Sequence, residues 1–269
     1  MSHDPGLAQD RTAADLNGVA GMYLLLATGL AYPGPGGPMG AWETPAFRLE
    51  AAARAGGLTP EWRDAGIRLL SLGDAVIARR DDAGMEHTRL FGPGRKPPVP
   101  PYETLYTAAY APTARHSQEL ADIQGFYRAF GVAVTPEAAD RPDHMALELE
   151  FLSLLCQKEA HAVHAGMDEA ASITRDARKA FLADHVGCWA GGFAARLEQH
   201  AAIPFYQELG RTLGGFVAWE MDRLGVKPAK MAHDPAPSGD GDDRMECGAC
   251  PMNGMAHSLA DGESFIPRQ

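Results

Sequence analysis

The sequence predicts an all-α protein: a single helical bundle domain with a flexible C-terminal tail. Apolar residues recur at threes and fours along most of the chain, which is the spacing of one helical face. No stretch alternates apolar and polar residues over the length of a strand. Apolar residues make up 45% of 269, enough to bury a core. The chain divides into an N-terminal arm over residues 1–14, an all-helical domain over 15–225, and a Pro/Gly/Asp-rich tail over 226–269.

Leu16, Val19, Ala20, Tyr23, Leu24 and Leu30 form the first stripe. The uncharged run from Leu16 to Tyr32 approaches the length of a membrane span, but it holds Asn17 and three glycines and runs into Pro33-Gly34-Pro35. A buried helix fits it better. A second helix is predicted from about Pro60 to Arg80, with Thr59 as N-cap and Pro60 at the first helical position. Leu120, Ile123, Phe126, Tyr127 and Phe130 make a third, with Gly131 as its C-cap. From Asp143 to about Ala165 the chain is apolar on more than one face, as a helix in the middle of a bundle would be. Phe181, Leu182, Val186, Trp189, Phe193 and Leu197 mark a fifth helix. Phe205, Tyr206, Leu209, Leu213, Phe216, Val217, Met221 and Leu224 mark a sixth. Pro33–Gly40 reads as a turn region. Gly92–Pro101 has five prolines in ten residues, so it is expected to lie extended. Val132–Pro142 reads as a connector.

Composition narrows the function. The formal net charge of −11 disfavours nucleic acid, whose phosphates need clustered Lys and Arg, and suits a basic partner instead. The cysteines Cys156, Cys188, Cys247 and Cys250 do not form a disulfide framework, which points to a reducing compartment. The first fifteen residues lack a basic n-region, so no secretory signal is expected. A cytoplasmic protein without stable membrane insertion follows, as monomer or dimer. There is no G-x-S-x-G, no H-E-x-x-H, no P-loop and no dinucleotide-binding glycine motif. None of the ten histidines follows a glutamate by three residues, as a di-iron bundle would require. No catalytic residue and no cofactor of its own is expected.

Four constellations remain. Arg141-Pro142-Asp143-His144 opens the most apolar helix, where Asp143 can cap exposed N–H groups and favour the positive end of the helix dipole. With Glu148, and Glu150 beyond it, Asp143 and His144 can share a rim that receives a basic peptide. Pro100-Pro101-Tyr102-Glu103-Thr104-Leu105-Tyr106 feeds an extended proline segment into an aromatic and acidic stretch. There Tyr102 and Tyr106 either line a peptide groove or pack in the core one turn apart. His161 and His164 share a helical face, as metal ligands do, although a solvated helix end explains them better; Asp184, His185 and Cys188 read as structural. Cys247-Gly-Ala-Cys250, with His257 beyond it, can bind metal or cycle redox, or can belong to a dispensable tail.

These residues resemble a known family. Asp140-Arg141-Pro142-Asp143-His144, followed by Leu147-Glu148-Leu149-Glu150-Phe151, is similar to the motif that opens a helix in the TorD/DmsD/NarJ family of redox-enzyme maturation proteins. Upstream, the helix ending in Ala129-Phe130-Gly131 resembles the family's, and downstream so does Phe181-Leu182-Ala183-Asp184-His185-Val186 with Trp189. The likeness runs from about Asp15 to Gly225. It departs from the family at Asp140-Arg141, where the family has Glu before the proline, and in the tail.

The resemblance implies a chaperone. Such proteins bind the twin-arginine leader, or the apo-enzyme body, of a molybdopterin oxidoreductase catalytic subunit and hold it in the cytoplasm while its cofactor is inserted. Asp143 and His144 carry over as peptide-site residues. Tyr102, Tyr106, Tyr127 and Glu148 join them from the reading of this sequence. The alternative is a helical metal- or redox-active protein using the C-terminal C-x-x-C or His161 and His164.

Overall fold

A computed structural model describes residues 5–34, 56–92, 97–107, 113–133 and 141–230, with the single positions Met39, Trp42, Thr44, Ala51, Arg54 and Ala232. The tail with Cys247, Cys250 and His257 lies outside the described residues. So do residues 35–38 of the expected turn region, the start of the proline segment at residues 93–96, and most of the expected connector.

The chain is all-helical, as expected, and the described residues contain no strand. Helix α1 runs Pro5–Gly29 and so begins ahead of Asp15, where the sequence reading places the start of the domain. Leu16, Val19, Ala20, Tyr23 and Leu26 on it are buried. No helix among the described residues is long and apolar enough to cross a membrane. Helix α2, Pro60–Ala78, starts as predicted: Thr59 is extended and Pro60 takes the first helical position, but the Thr59 hydroxyl makes no capping bond.

Helix α3, Arg80–Phe91, was not foreseen. It follows α2 after a break at Arg79 (φ −128°, ψ 51°) and is too polar to show a stripe. Its buried face mixes the small Ala83 and Gly84 with the acidic Glu86 ahead of Leu90 and Phe91. Packing against neighbours, rather than local pattern, therefore makes it a helix. A short α4 spans Thr104–Thr107.

Helix α5, Thr113–Ala129, ends where Gly131 adopts φ 77°. The Val132 N–H then reaches back to the Tyr127 carbonyl at 3.0 Å, the predicted glycine stop. Helix α6 is Met145–His164 and α7 is Asp168–Phe181. The chain continues through a π-helical turn, Leu182–Val186, into α8, Gly187–His200. Helix α9 is Pro204–Leu224.

Helix α6 packs along α1 and α7, and α9 packs along α8. Tyr23, Leu26, Leu149, Leu152, Phe181, Trp189, Phe193 and Phe216 are all buried in one core. A charged bridge crosses it. Arg178 of α7, 1% exposed, donates to Glu159 of α6 at 2.8 Å and also bonds Glu220 of α9. Glu220 in turn accepts from Arg223 at 2.8 Å. The buried guanidinium thus ties three helices, with each of its charges answered.

Candidate functional site

The site begins where two irregular segments meet. Residues 97–101 are non-helical, as their prolines demand, but bend at Pro98 and Val99 instead of running straight, and both bend residues are held. The Val99 N–H donates to the Leu90 carbonyl at 3.1 Å, and Arg196 Nε donates to the Pro98 carbonyl at 3.0 Å. Tyr102 then forms an isolated antiparallel bridge with His144. The Glu103 N–H bonds the Asp143 carbonyl at 3.0 Å, and the Met145 N–H bonds the Pro101 carbonyl at 2.9 Å. Backbone pairing therefore fixes the proline segment against the start of α6.

Asp143 clamps this junction from inside. Its side chain is fully buried. Oδ2 accepts from the Thr104 N–H at 3.2 Å and from the Thr104 hydroxyl at 2.8 Å. Arg141 binds the same carboxylate through Nε at 3.0 Å and Nη2 at 2.8 Å. The Arg141 guanidinium also stacks 4.7 Å above the Tyr102 ring. The capping expectation is corrected here. Asp143 caps α4, and the N-cap of α6 is His144, whose Nδ1 accepts from the Ala146 N–H at 3.1 Å. That acceptor role leaves the ring proton on Nε2. The His144 and Tyr102 rings lie edge to face at 5.5 Å.

Beneath the turn sits a second buried group. Glu148 Oε2 accepts from the Trp189 indole N–H at 3.0 Å. Burial, and then the neighbouring Glu103 carboxylate, push its pKa well above the ordinary range, which favours the protonated acid. Glu103, also fully buried, faces Nδ1 of His185 at 3.1 Å. Nε2 of His185 points to Asp122 on α5 at 3.4 Å, and the Asp122 side chain is 63% exposed. His185 thus stands between the inner carboxyls and the surface, although its Nε2 makes no hydrogen bond, and it does so from the π-helical turn, a distortion often found at functional positions.

The structure brings Tyr102, Asp143 and His144 together. Tyr127 joins them indirectly: its hydroxyl donates to the Pro142 carbonyl at 2.8 Å, and its ring is buried against Phe151 at 4.8 Å. Burial and the Glu148 carboxyl raise its pKa. Tyr106 is a core residue, packed on Trp189 at 5.1 Å. The expected acidic rim of Asp143, His144 and Glu148 does not form at the surface, because both carboxylates are buried and bonded inward. What is exposed above the turn is Arg141, with Leu105 at 38% and parts of Tyr102 and His144.

Sequence reasoning missed Arg141 as a clamp, Glu103 as a buried acid and His185 as its partner. Glu103 stood within the aromatic and acidic stretch, but no periodicity marks a residue that folds inward from a loop. His161 and His164 are exposed on α6. Among the described residues, no group of three or more His, Cys, Asp or Glu side chains is placed to hold a metal.

Comparison with known proteins adds to this geometry. The nitrate reductase delta subunit family matches residues 67–195, a span that contains every residue of the clamp. The chain is 35% identical over 127 residues to the chlorate reductase assembly chaperone protein of Ideonella dechloratans, covering 47% of this chain and 64% of that protein. Over that span the chain is similar to the TorD/NarJ family.

Further similarities are of the same kind. The selenate reductase assembly chaperone protein of Thauera selenatis is 34% identical over 128 residues, 48% of this chain and 64% of that one. A chaperone protein TorD of Vibrio cholerae is 26% identical over 145 residues, 52% of this chain and 63% of that one. The chain thus spans just under two thirds of the length of these relatives.

Proposed function

We propose that this protein is a non-catalytic chaperone that holds the catalytic subunit of a molybdopterin oxidoreductase before export. It binds the twin-arginine leader, the apo-enzyme body or both, in the cytoplasm, while the cofactor is inserted into the client. The observation that carries this reading is the Asp143 clamp. It joins the proline segment, α4 and the start of α6 into one rigid edge, inside the span matched by a family whose members include reductase assembly chaperones. The charges of the clamp are spent on each other, an arrangement suited to holding a surface in shape.

In this reading Tyr102 and His144 contact the client, and Arg141 frames them. Asp143, Tyr127 and Glu148 position that surface from beneath. Tyr106 supports it from the core. A ring with an apolar body and a polar tip suits a peptide that is part apolar and part charged. The metal or redox alternative is not favoured by the family, and His161 and His164 lack a third ligand among the described residues.

The test is calorimetric titration of the full chain with the leader peptide of its client, beside co-purification with the client carrying or lacking that leader. Micromolar binding by the parent and at least roughly tenfold weaker binding by His144→Asn is expected, about 1.4 kcal/mol. Failure of both leader and client body to bind would end the reading.

A further inference from the structure

His185 sits where several elements cross. Its ring is buried and projects from the π-helical turn. Phe181, at the end of α7, packs on it at 4.9 Å, and Phe126 of α5 meets it edge-on at 5.6 Å. Its two nitrogens face different partners. Nδ1 meets Glu103, one residue ahead of α4, at 3.1 Å. Nε2 is directed at Asp122 of α5 at 3.4 Å without a hydrogen bond. Asp122 and Phe126 are one helical turn apart, so both reach the ring from one face of α5.

A neutral imidazole has a single N–H, and here two carboxyl groups compete for it. With the proton on Nδ1, Glu103 is answered and a bare Nε2 faces Asp122. With the proton on Nε2, the mismatch moves to Glu103. A ring protonated on both nitrogens satisfies both acids. The other ionisable groups nearby are engaged elsewhere. Behind Glu103, Glu148 is kept as the protonated acid by burial and then by Glu103. Asp143 is committed to Thr104 and Arg141, Lys230 to Glu119, and Tyr127 to the Pro142 carbonyl. Cys188 donates to the Ala183 carbonyl at 3.1 Å. Asp184, the neighbouring acid on the turn, is half-buried and makes no bond to the ring.

Helix α5 is tied to the client edge at two places. The Thr107 hydroxyl at the end of α4 donates to Glu119 at 3.1 Å, and the Tyr127 hydroxyl reaches the head of α6. Asp122 lies between these ties, with a largely exposed side chain that has room to move.

We infer that His185 is a proton-operated latch between α5 and the edge that carries Tyr102 and Leu105. When the ring takes its second proton, Asp122 closes on Nε2 and adds a third tie. When the ring is neutral that tie opens, and the α4 end of the edge loosens. Imidazole suits such a switch, because its charge ordinarily changes between roughly pH 5 and 8. The inference rests on the reading of that edge as a client-holding surface, but its test uses no client.

The test is NMR on the full chain and on Asp122→Ala, a surface change to a good helix former. Correlation of the ring protons with the ring nitrogens counts the protons on His185, from about pH 8 down to about pH 5.5. The midpoint for the second proton is expected to lie about 0.3–0.7 pH unit lower in Asp122→Ala, as loss of one partly exposed pair would give. Exchange of the Thr104 and Leu105 amides, corrected for its intrinsic pH dependence, is read in parallel. As the ring protonates, it should slow in the parent relative to the variant, on the order of two- to fivefold. Asp143 and His144 are common to both proteins, so the difference between them isolates the latch. Equal midpoints overturn the inference, and so does a shifted midpoint with no difference in amide exchange. Either result leaves the client-holding reading to its own titration, and failure of that titration leaves the latch measurement standing.

Discussion

Asp143 stands at the head of α6 but caps the helix that begins at Thr104, thirty-nine residues earlier in the chain. The bridge between Tyr102 and His144 sets the two segments side by side, and the Asp143 carboxylate then closes the gap between them. One side chain thereby orders α4, the Arg141 guanidinium and the start of α6.

Removing that carboxylate should loosen all three. Asp143→Ala leaves the Thr104 N–H without its acceptor and Arg141 without its counter-charge. A loss of about 2–4 kcal/mol in urea unfolding is expected, from a lost cap plus unpaired polar groups. Asp143→Asn keeps an acceptor for Thr104 and should lose about half as much. An Ala variant as stable as the parent would refute the clamp.

His144 divides differently. His144→Ala removes the acceptor for the Ala146 N–H and should cost about 1 kcal/mol. Asn is a good N-cap, so His144→Asn should stay within about 0.5 kcal/mol of the parent. Stability of the two variants, measured by thermal unfolding, checks that the binding loss expected of His144→Asn reflects the imidazole and not the fold.

Glu148 predicts a pH dependence. Its folded pKa lies well above the ordinary 4.5, chiefly through burial and then through Glu103. The folded state therefore holds this proton more tightly than the unfolded chain does. The stability it contributes is complete below the unfolded value and is lost as pH rises through the folded one. Glu148→Gln keeps an acceptor for Trp189 and carries no proton to lose. Its stability should fall less steeply than the parent's as pH rises above about 4.5. Glu220 is shifted the same way, so the difference between parent and variant, not the parent curve, is the measurement. Parallel curves would show that Glu148 does not hold the proton.

The buried bridge at Arg178 offers a test of the core. Arg178→Ala removes the buried cation between Glu159 and Glu220 and leaves each only its partly exposed arginine, Arg175 and Arg223. A loss of about 3–5 kcal/mol is expected by chemical denaturation. Arg178→Met fills more of the space and, combined with Glu159→Gln and Glu220→Gln, should recover much of that loss. If the triple variant is no more stable than Arg178→Ala, loss of the buried counter-charge is not what the single change exposes.

The sequence by itself determined the helices that carry a stripe, their order, the stops at Gly131 and Gly225, and the non-helical run before Tyr102. Each of these is local: a repeat of three and four, a glycine free to take positive φ, a proline that cannot join a helix. It also singled out the Asp143–His144 turn. The tertiary structure alone decided what that turn does. A carboxylate at a helix start can cap its own helix, face solvent or reach a distant backbone, and only the bridge to Tyr102 selects the last. Glu148 and Glu103 went inward for the same reason. Their partners, Trp189 and His185, lie 41 and 82 residues away, and no spacing in the chain records a meeting made by packing. Helix α3 became a helix on the same terms, since its mixed buried face, Glu86 included, shows no stripe and is settled only once a neighbour covers it.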